Sequence, residues 1–479
     1  MYPALFFLLF FGGHPTATPH PLPPHAHAAH PNWGFFGHKA INRNAVFTLP
    51  PEMAKFYKAN IDYVVDHSVD PDKRRRLVPN EGVRHYIDLD RFGKAPFPNL
   101  PRRLDDALLR YVNIFAVTDK GDTIAVYQQK LATWDTLNAS KVIRVQSDSL
   151  YKLFNDATAT LGDSVRTFSR EQRKRYTISA LDFRTFYNAN VRPNAKKNVY
   201  PIAPDSLKVL FNHLDGVDAV SDTHQQGMHV QLNCVSAFAT DGLTPNGIVP
   251  YYIAIETRRL AEAFRHRDRK KILRLSADLG HYIADAHVPL HTTENYDGQL
   301  TDQKGIHSFW ESRLPELFAD KEYNLVVGKA EYVKSIDAEA WRIVLESNAL
   351  LDSVLLTEKA LAATFPPDQQ MCDVPRGRTT SKQPCEEFSR AWHSRMNGMV
   401  EARMRAATKA VGDAWMTAWV NAGQPDLDHL DEAPPATTEP TPNPETDPTE
   451  KERPANAPTE SEDGAPEKDK GEKSTKEPE

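Results

Sequence analysis

The sequence contains few cysteines, no long apolar run and no excess of positive charge. Three cysteines in 479 residues exclude a scaffold held together by many disulfides. The longest apolar run, Ala4 to Phe11, is far shorter than the roughly 20 residues that a membrane-spanning helix needs. Lys and Arg total 58 against 64 Asp and Glu, which excludes a generally basic nucleic-acid coat protein.

Both ends of the chain differ in composition from the middle. Residues 1–32 combine the apolar run with a Pro/His-rich stretch and several small residues. This pattern predicts a signal peptide and spacer, and hence an exported protein, periplasmic or secreted. Residues 433–479 carry 13 acidic and 6 basic side chains and no aromatic residue. Because such a segment cannot bury enough apolar surface to offset its ordering entropy, we predict a disordered acidic tail.

The folded body is expected over residues 33–432, and its clearest features are helical. Long runs of helix-forming residues predict helices over Ile253–Val288, Ala340–Leu361 and Glu386–Asn421. The last of these carries Met, Trp and Val at steps of mostly three, four or seven, which indicates a buried stripe. Clean period-2 strands are scarce, so the predicted fold class is mainly α.

The middle of the body, residues 112–233, is harder to interpret. It contains two stretches with helical character, Asp148–Leu161 and Arg170–Tyr187, separated by Pro- and Asn-rich breaks. No repeat or chemical motif is evident there. We interpret it as a possible insertion of unclear structure.

The three cysteines fall into a close pair and a single residue. Cys372 and Cys385 are thirteen residues apart in a Pro/Gly/Arg-rich stretch, and in an exported protein they could form a local disulfide. Cys234 would then be a buried thiol. Three unpaired thiols remain the alternative.

Two histidine–carboxylate pairs stand close together in the second half of the body. His281 and Asp285 are four residues apart on a predicted helix, so their side chains project from the same face. His291 follows just beyond that helix, and His307 and Glu311 form a second pair with the same spacing. Imidazole and carboxylate are the ligands that zinc takes at catalytic sites. The region therefore predicts a metal centre.

Two clusters nearer the N-terminus add further ligand types. Trp33 and His38 lie in the stretch WGFFGH, and Asp70 precedes His85 by fifteen residues. Together with the later pairs they follow the order Trp, His, Asp, His, H-x-x-x-D-x-x-x-x-x-H, H-x-x-x-[D/E]. In this pattern the chain resembles the bacterial zinc-dependent phospholipases C and their relatives, the single-strand-specific nucleases of fungi and plants. The resemblance implies a multi-helical fold, three zinc ions in one cleft, and hydrolysis of a phosphate ester.

The resemblance also implies which residues bind zinc. Asp70 and Asp285 would be the catalytic carboxylates, and Asp285 would bridge two ions. Trp33 would bind through a free N-terminal amine, which requires cleavage directly before it, whereas the small residues favour cleavage a few positions earlier. The implied ligands are Asp70, His85, His281 and Asp285 for the first ion, Trp33, His38 and Asp285 for the second, and His291, His307 and Glu311 for the third.

Two substrate classes remain open. By resemblance to the nucleases, Tyr86 would stack on a base and Asp88 would bind the base edge, while Lys73 stands where those enzymes carry a phosphate-binding Arg. The Glu at the last ligand position, Glu311, and the short interval between the last two histidines are instead typical of the phospholipases. We therefore favour a phospholipid head group over single-stranded nucleic acid as substrate. No stable protein partner is inferred.

A non-catalytic alternative is a secreted helical protein in which zinc only stabilises the fold. Structural zinc sites are usually closed and rich in Cys, whereas this cluster contains no Cys and takes carboxylates from distant segments. A zinc peptidase is disfavoured because the chain has no H-E-x-x-H motif.

Overall fold

Helices make up most of the folded body, and a β-rich segment interrupts them. The computed structural model describes residues 34–137, 140–161, 164–192, 199–211, 214, 225–376 and 379–430. The predicted signal segment, Trp33 and the predicted acidic tail lie outside these residues. All described residues belong to one unit, Met1–Thr441, and the second unit, Pro442–Glu479, lies outside them. No helix in the described part of the chain combines the length and apolar composition needed to cross a bilayer.

Most of the helices lie on either side of the β-rich segment in the sequence, and one, Ala180–Asn190, lies within it. Several begin at a side-chain cap; Ser335, for example, accepts from the backbone N–H of Ala338. The described α-helices are α1 (Gly34–Ala45), α2 (Pro51–Ala59), α3 (Ile61–His67), α4 (Asp70–Arg74), α5 (Leu104–Tyr111), α6 (Ala180–Asn190), α7 (Val249–Arg265), α8 (Arg269–Ala286), α9 (Ile306–Ser308), α10 (Leu314–Glu322), α11 (Ile336–Ala349), α12 (Leu351–Ala362), α13 (Glu386–Arg395) and α14 (Met399–Asn421).

The helical core forms where α14, α7 and α8 pack together, with α1 and α3 against them. Trp415 of α14 is fully buried and stacks on Tyr57, with ring centroids 5.0 Å apart. Its indole N–H donates to the carbonyl oxygen of Ser276 on α8, 3.0 Å away. The Trp/Met stripe predicted for the last helices is therefore confirmed as core.

Each of the three long predicted helices is in fact two helices. Between α7 and α8, Arg267 has a φ of +55°, and Asp268 caps the new helix by accepting from the N–H of Lys271. Between α13 and α14, Gly398 has a φ of +75°, and α11 and α12 meet at Leu350. These breaks were not predicted because good helix formers stand on both sides of each one.

The β-rich segment lies between α5 and α7, and its strands are antiparallel throughout the described pairings. The described strands, including a separate later hairpin, are β1 (Val112–Val117), β2 (Thr123–Tyr127), β3 (Ala132–Leu137), β4 (Ser140–Gln146), β5 (Phe154–Leu161), β6 (Ser164–Thr167), β7 (Arg175–Ser179), β8 (Val199–Ile202), β9 (Gln225–Leu232), β10 (Ser236–Asp241), β11 (Met371–Arg376) and β12 (Thr379–Pro384). The strand orders are β2-β1-β10-β8, β3-β4-β7 and β6-β5-β9, and the hairpin pairs β11 with β12.

This segment corrects two sequence predictions. The stretch Asp148–Leu161 is mostly β5, and Arg170–Tyr187 begins with β7 before α6 starts. Along β7, Tyr176 and Ile178 are buried while their neighbours are more exposed, which is the period-2 pattern of a half-buried strand. The fold is mainly helical, with antiparallel sheets that the sequence interpretation underestimated.

The predicted disulfide is present. Cys372 on β11 is bonded to Cys385 just after β12, with a Cα–Cα distance of 5.0 Å. Cys234 is half-buried rather than buried, and its Sγ lies 3.1 Å from the carbonyl oxygen of Ser236.

Candidate metal centre

Helices α1 and α8 bring the first set of predicted ligands together. A Cβ on Gly280 of α8 would lie 2.0 Å from Oδ1 of Asn42 on α1, so only glycine permits this approach. One residue later His281 stacks on His38, with ring centroids 3.8 Å apart. Asp285 projects from the same face of α8, and its Oδ1 lies 3.6 Å from His38 Nε2. His38, His281 and Asp285 are buried, and their ligand atoms lie within 4.8 Å of one another; we call them group A.

A second set, group B, consists of Asp72, His85 and His281. His85 Nδ1 lies 3.0 Å from His281 Nε2, and Asp72 Oδ1 lies 3.8 Å from each of these nitrogens. His281 Nδ1 contacts the carbonyl oxygen of Ser68 at 2.8 Å. This hydrogen bond places the proton on Nδ1, so Nε2 can bind a metal.

A third set, group C, consists of His291, His307 and Glu311. Nε2 of His291 lies 2.9 Å from Nε2 of His307, and Glu311 Oε2 lies within 3.3 Å of both. Glu311 belongs to a π-helical turn, Phe309–Arg313, that continues α9, and such turns are frequent at functional sites. Nδ1 of His291 donates to the carbonyl oxygen of His85 at 2.6 Å.

Asp285 connects the three groups. Its Oδ2 lies 2.7 Å from His85 Nδ1 and 3.2 Å from His281 Nε2. Its Oδ1 lies 3.6 Å from His38 Nε2 and 3.7 Å from His291 Nδ1. A single carboxylate therefore faces the donor nitrogens of groups A and B, the two sites it is predicted to bridge, and also lies near the His291 ring of group C.

Asp70 does not belong to any of these groups, and Asp72 occupies the predicted position instead. The Asp70 carboxylate pairs with His67 Nδ1 at 2.6 Å and with Lys73 Nζ at 3.3 Å, on the outer side of α4. Residues two apart on a helix do not share a face, so the neighbouring Asp72 turns towards His85. The geometry therefore groups Asp72, and not the predicted Asp70, with His85 and His281, and the catalytic role predicted for this position stays a prediction.

The donor atoms fit divalent metal ions. Oxygen atoms of Asp72, Asp285 and Glu311 are buried and have no hydrogen-bond partner in the described residues. Buried polar atoms are normally paired, and buried charges are usually paired or coordinate metals. Nitrogen and carboxylate oxygen donors without sulfur suit zinc at an open site.

The electrostatics of the carboxylates also indicate competition for a cation. Burial raises the pKa of Asp72 to about 7 and that of Asp285 to about 8. Burial has the same effect on Glu311, but the nearby imidazoles of group C outweigh it and lower the pKa of Glu311 to about 2. Burial lowers the pKa of His85 and His281, so both imidazoles are neutral donors. A metal would replace the protons that Asp72 and Asp285 otherwise retain, and Glu311 is already an anion.

Arg75 is a functional candidate that the sequence interpretation missed. Its guanidinium lies 3.6 Å from Asp72 Oδ1, and the side chain is only 14% exposed. Its positive charge favours ionisation of both Asp72 and Asp285, so it lowers their pKa values against the effect of burial. Arg75 stands three residues after Asp72, which is the interval that the resemblance assigns to a phosphate-binding Arg. Counting from Asp70 had assigned that place to Lys73, which is exposed.

The predicted base-binding residues lie under a turn that follows β10. The Tyr86 hydroxyl donates to the carbonyl oxygen of Pro245 at 3.0 Å, and the backbone N–H of Asp88 donates to the carbonyl oxygen of Asn246 at 2.7 Å. Gly247 has a φ of +88°, and a Cβ there would lie 2.1 Å from the Tyr86 carbonyl oxygen. Tyr86 is 8% exposed and Asp88 5%. The Tyr86 ring therefore presents almost no surface on which a base could stack.

The start of α1 lies next to group C. A Cβ on Gly34 would lie 2.8 Å from Oγ of Ser312, the residue after Glu311. The predicted ligand Trp33 immediately precedes Gly34 but lies outside the described residues. Its role as a ligand remains a prediction.

Comparison with known proteins identifies no relative. No family model matches the chain, and no curated protein matches it in sequence. The functional interpretation consequently rests on the residues themselves and on the geometry of groups A, B and C.

Proposed function

We propose that the protein is a zinc-dependent phosphoric ester hydrolase, a phosphodiesterase of the phospholipase C type with the corresponding multi-helical fold. The observation that carries this proposal is the convergence of groups A, B and C around Asp285. His281 can offer only Nε2, because its Nδ1 contacts the Ser68 carbonyl oxygen, so it would serve the group B ion. His38 with Asp285 would hold a second ion and group C a third, for a total of three. Trp33 would complete group A if its amine is free.

The arrangement favours catalysis over a purely structural role for the metal. Structural zinc sites are closed and usually contain Cys, whereas all three groups consist of His, Asp and Glu. Three adjacent sites with a shared carboxylate also exceed what stabilisation of a fold requires. The non-catalytic alternative is therefore less well supported.

The residues of the chain have distinct parts in the proposed reaction. Bound zinc ions supply a hydroxide near neutral pH and offset the charge of the phosphoryl group. Asp285 keeps two sites close together, and the Ser68 carbonyl oxygen holds the tautomer of His281. Arg75 would bind a phosphoryl oxygen of the substrate, because its guanidinium lies beside Asp72 and remains partly exposed.

The burial of Tyr86 supports a phospholipid head group as substrate. A nuclease of this type needs an exposed aromatic face for the base, and the turn containing Pro245 and Gly247 covers this ring. A phospholipid head group carries no base, so it needs no such aromatic face. Single-stranded nucleic acid is the competing substrate class, and the experiment below separates the two.

The test uses full-length protein and protein that starts at Trp33, each dialysed against metal-free buffer. We expect about three zinc ions per chain by elemental analysis, at least in the protein that starts at Trp33. We also expect EDTA-sensitive hydrolysis of bis-p-nitrophenyl phosphate and of phosphatidylcholine micelles. Hydrolysis of a single-stranded oligonucleotide in preference to the lipid would replace the phospholipase assignment with a nuclease. One zinc or none, with no phosphodiester hydrolysis, would refute the proposal.

We also propose that the protein is exported, either to the periplasm or out of the cell. N-terminal sequencing of the mature protein tests this directly and locates the cleavage site relative to Trp33. A mature chain that begins at Met1 would contradict export.

A further inference from the structure

His85 differs from His281 and His291 in the partner of the ring nitrogen that does not face a metal group. Nδ1 of His281 and Nδ1 of His291 each contact a backbone carbonyl oxygen within 2.8 Å. In His85 it is Nδ1 that faces group B, while Nε2 is buried and has no hydrogen-bond partner in the described residues. The carboxylate oxygen Oε1 of Glu81, one helical turn earlier, lies 3.9 Å from this Nε2.

Glu81 is fully buried, and both of its carboxylate oxygens have partners. The Tyr282 hydroxyl donates to Oε1. At Oε2, Arg84 makes an ion pair of 2.8 Å and Arg74 one of 3.1 Å. A buried carboxylate with two guanidinium partners remains an anion, and its position varies little because three groups fix it.

The residues around Glu81 are neighbours of the group B ligands in the sequence. Arg74 follows Asp72 by two residues, Arg84 directly precedes His85, and Tyr282 directly follows His281. Arg74 also donates to Tyr282 at 2.8 Å, which links α4 to α8. The three segments that supply group B are therefore tied together by one buried polar network behind the ligands.

We propose that Glu81 is a positioning residue that accepts the Nε2 proton of His85 and so directs Nδ1 towards the group B metal. A metal on Nδ1 leaves the proton on Nε2, and a metal-bound imidazole almost always donates that proton to a carboxylate or carbonyl oxygen. The 3.9 Å between His85 Nε2 and Glu81 Oε1 becomes a hydrogen-bond distance if the His85 ring moves by roughly 1 Å. The inference rests on the proposed zinc site, but it concerns metal affinity and not the reaction catalysed.

The test measures zinc affinity by chelator competition in Glu81→Gln, with activity as a separate readout. Loss of a carboxylate partner of this kind typically weakens metal binding about 10- to 100-fold, and we expect this loss at one of the three sites only. Cobalt-loaded protein gives a second readout, because its visible spectrum should change for one ion. Tyr282→Phe, which removes one contact to Glu81 and keeps the ring, should weaken the same site less.

Asp241→Asn is the matched control. Asp241 is a buried carboxylate on β10 that accepts hydrogen bonds from the backbone N–H groups of Leu243 and Thr244, so its loss should lower stability and leave all three zinc affinities unchanged. Wild-type affinities in Glu81→Gln would overturn the inference, as would an equal loss in Asp241→Asn. If Glu81→Gln does not fold, unchanged affinities in Tyr282→Phe overturn it. Failure of wild-type protein to bind zinc would instead refute the proposed function.

Discussion

Replacement of Asp285 by Asn should have the largest effect on the metal centre. Asn keeps the shape of the side chain but removes the charge that faces His38, His85, His281 and His291 within 3.7 Å. We expect zinc to fall from three ions per chain to one or two. Phosphodiester hydrolysis should fall by a factor of about 1,000 or more, equivalent to about 4 kcal/mol in the barrier.

The same substitution should stabilise the metal-free protein at high pH. Burial raises the pKa of Asp285 from 3.8 to about 8, so the folded state retains a proton that the unfolded state loses above pH 4. Stability from this group is therefore present at low pH and is lost as the pH rises from 4 to 8. Between pH 6 and pH 9 the free energy of unfolding of the wild type should fall by about 3 kcal/mol at most relative to that of Asp285→Asn. The fall is about 1.4 kcal/mol for each pH unit and ends near the folded pKa of about 8.

The assay is urea unfolding of both metal-free proteins at pH 6 and pH 9, together with zinc analysis and hydrolysis rates. Asp241→Asn serves as a matched control, because Asp241 is buried in the β-rich segment and accepts hydrogen bonds from backbone N–H groups. It should lose stability and keep its zinc. Full zinc content and full activity in Asp285→Asn would refute the role of Asp285 as the bridging ligand. If the wild type and Asp285→Asn differed in free energy of unfolding by the same amount at pH 6 and at pH 9, the electrostatic argument would be refuted.

Four other substitutions test three separate features. Asp72→Asn should remove at least one zinc ion and reduce hydrolysis at least 100-fold, whereas Asp70→Asn should leave the zinc content unchanged; the reverse result would restore the ligand first predicted. Gly247→Ala should lower the free energy of unfolding by about 1–3 kcal/mol, because a Cβ there would lie 2.1 Å from the carbonyl oxygen of Tyr86; a wild-type melting curve would contradict this. Cys372→Ser should lower it by about 3 kcal/mol with no change in zinc content, as measured by urea unfolding.

Sequence patterns were sufficient where the chemistry is local. The four-residue spacing of His281 and Asp285 determines that both project from one face of α8, whatever surrounds the helix. The pair His307 and Glu311 follows the same rule, although the turn between them is π-helical. The Trp/Met stripe and the disulfide are likewise consequences of short-range spacing.

Sequence patterns did not decide features that depend on contacts between distant segments. Asp70 and Asp72 both stand in the first turn of α4 with basic residues after them, and only the packing of α4 against α8 turns Asp72 inward. The strands of the β-rich segment were missed because the pairing of β5 with β9, for example, joins residues more than 60 positions apart.

By itself, then, the sequence determined the types and the helical spacing of the candidate ligands and the apolar stripe, because each depends on neighbours within one or two turns. The tertiary structure alone decided that Asp72 and not Asp70 reaches group B, and that Arg75 lies beside it. It also decided that a turn after β10 covers Tyr86. These outcomes depend on how distant helices and strands pack, since packing selects which face of each element is buried.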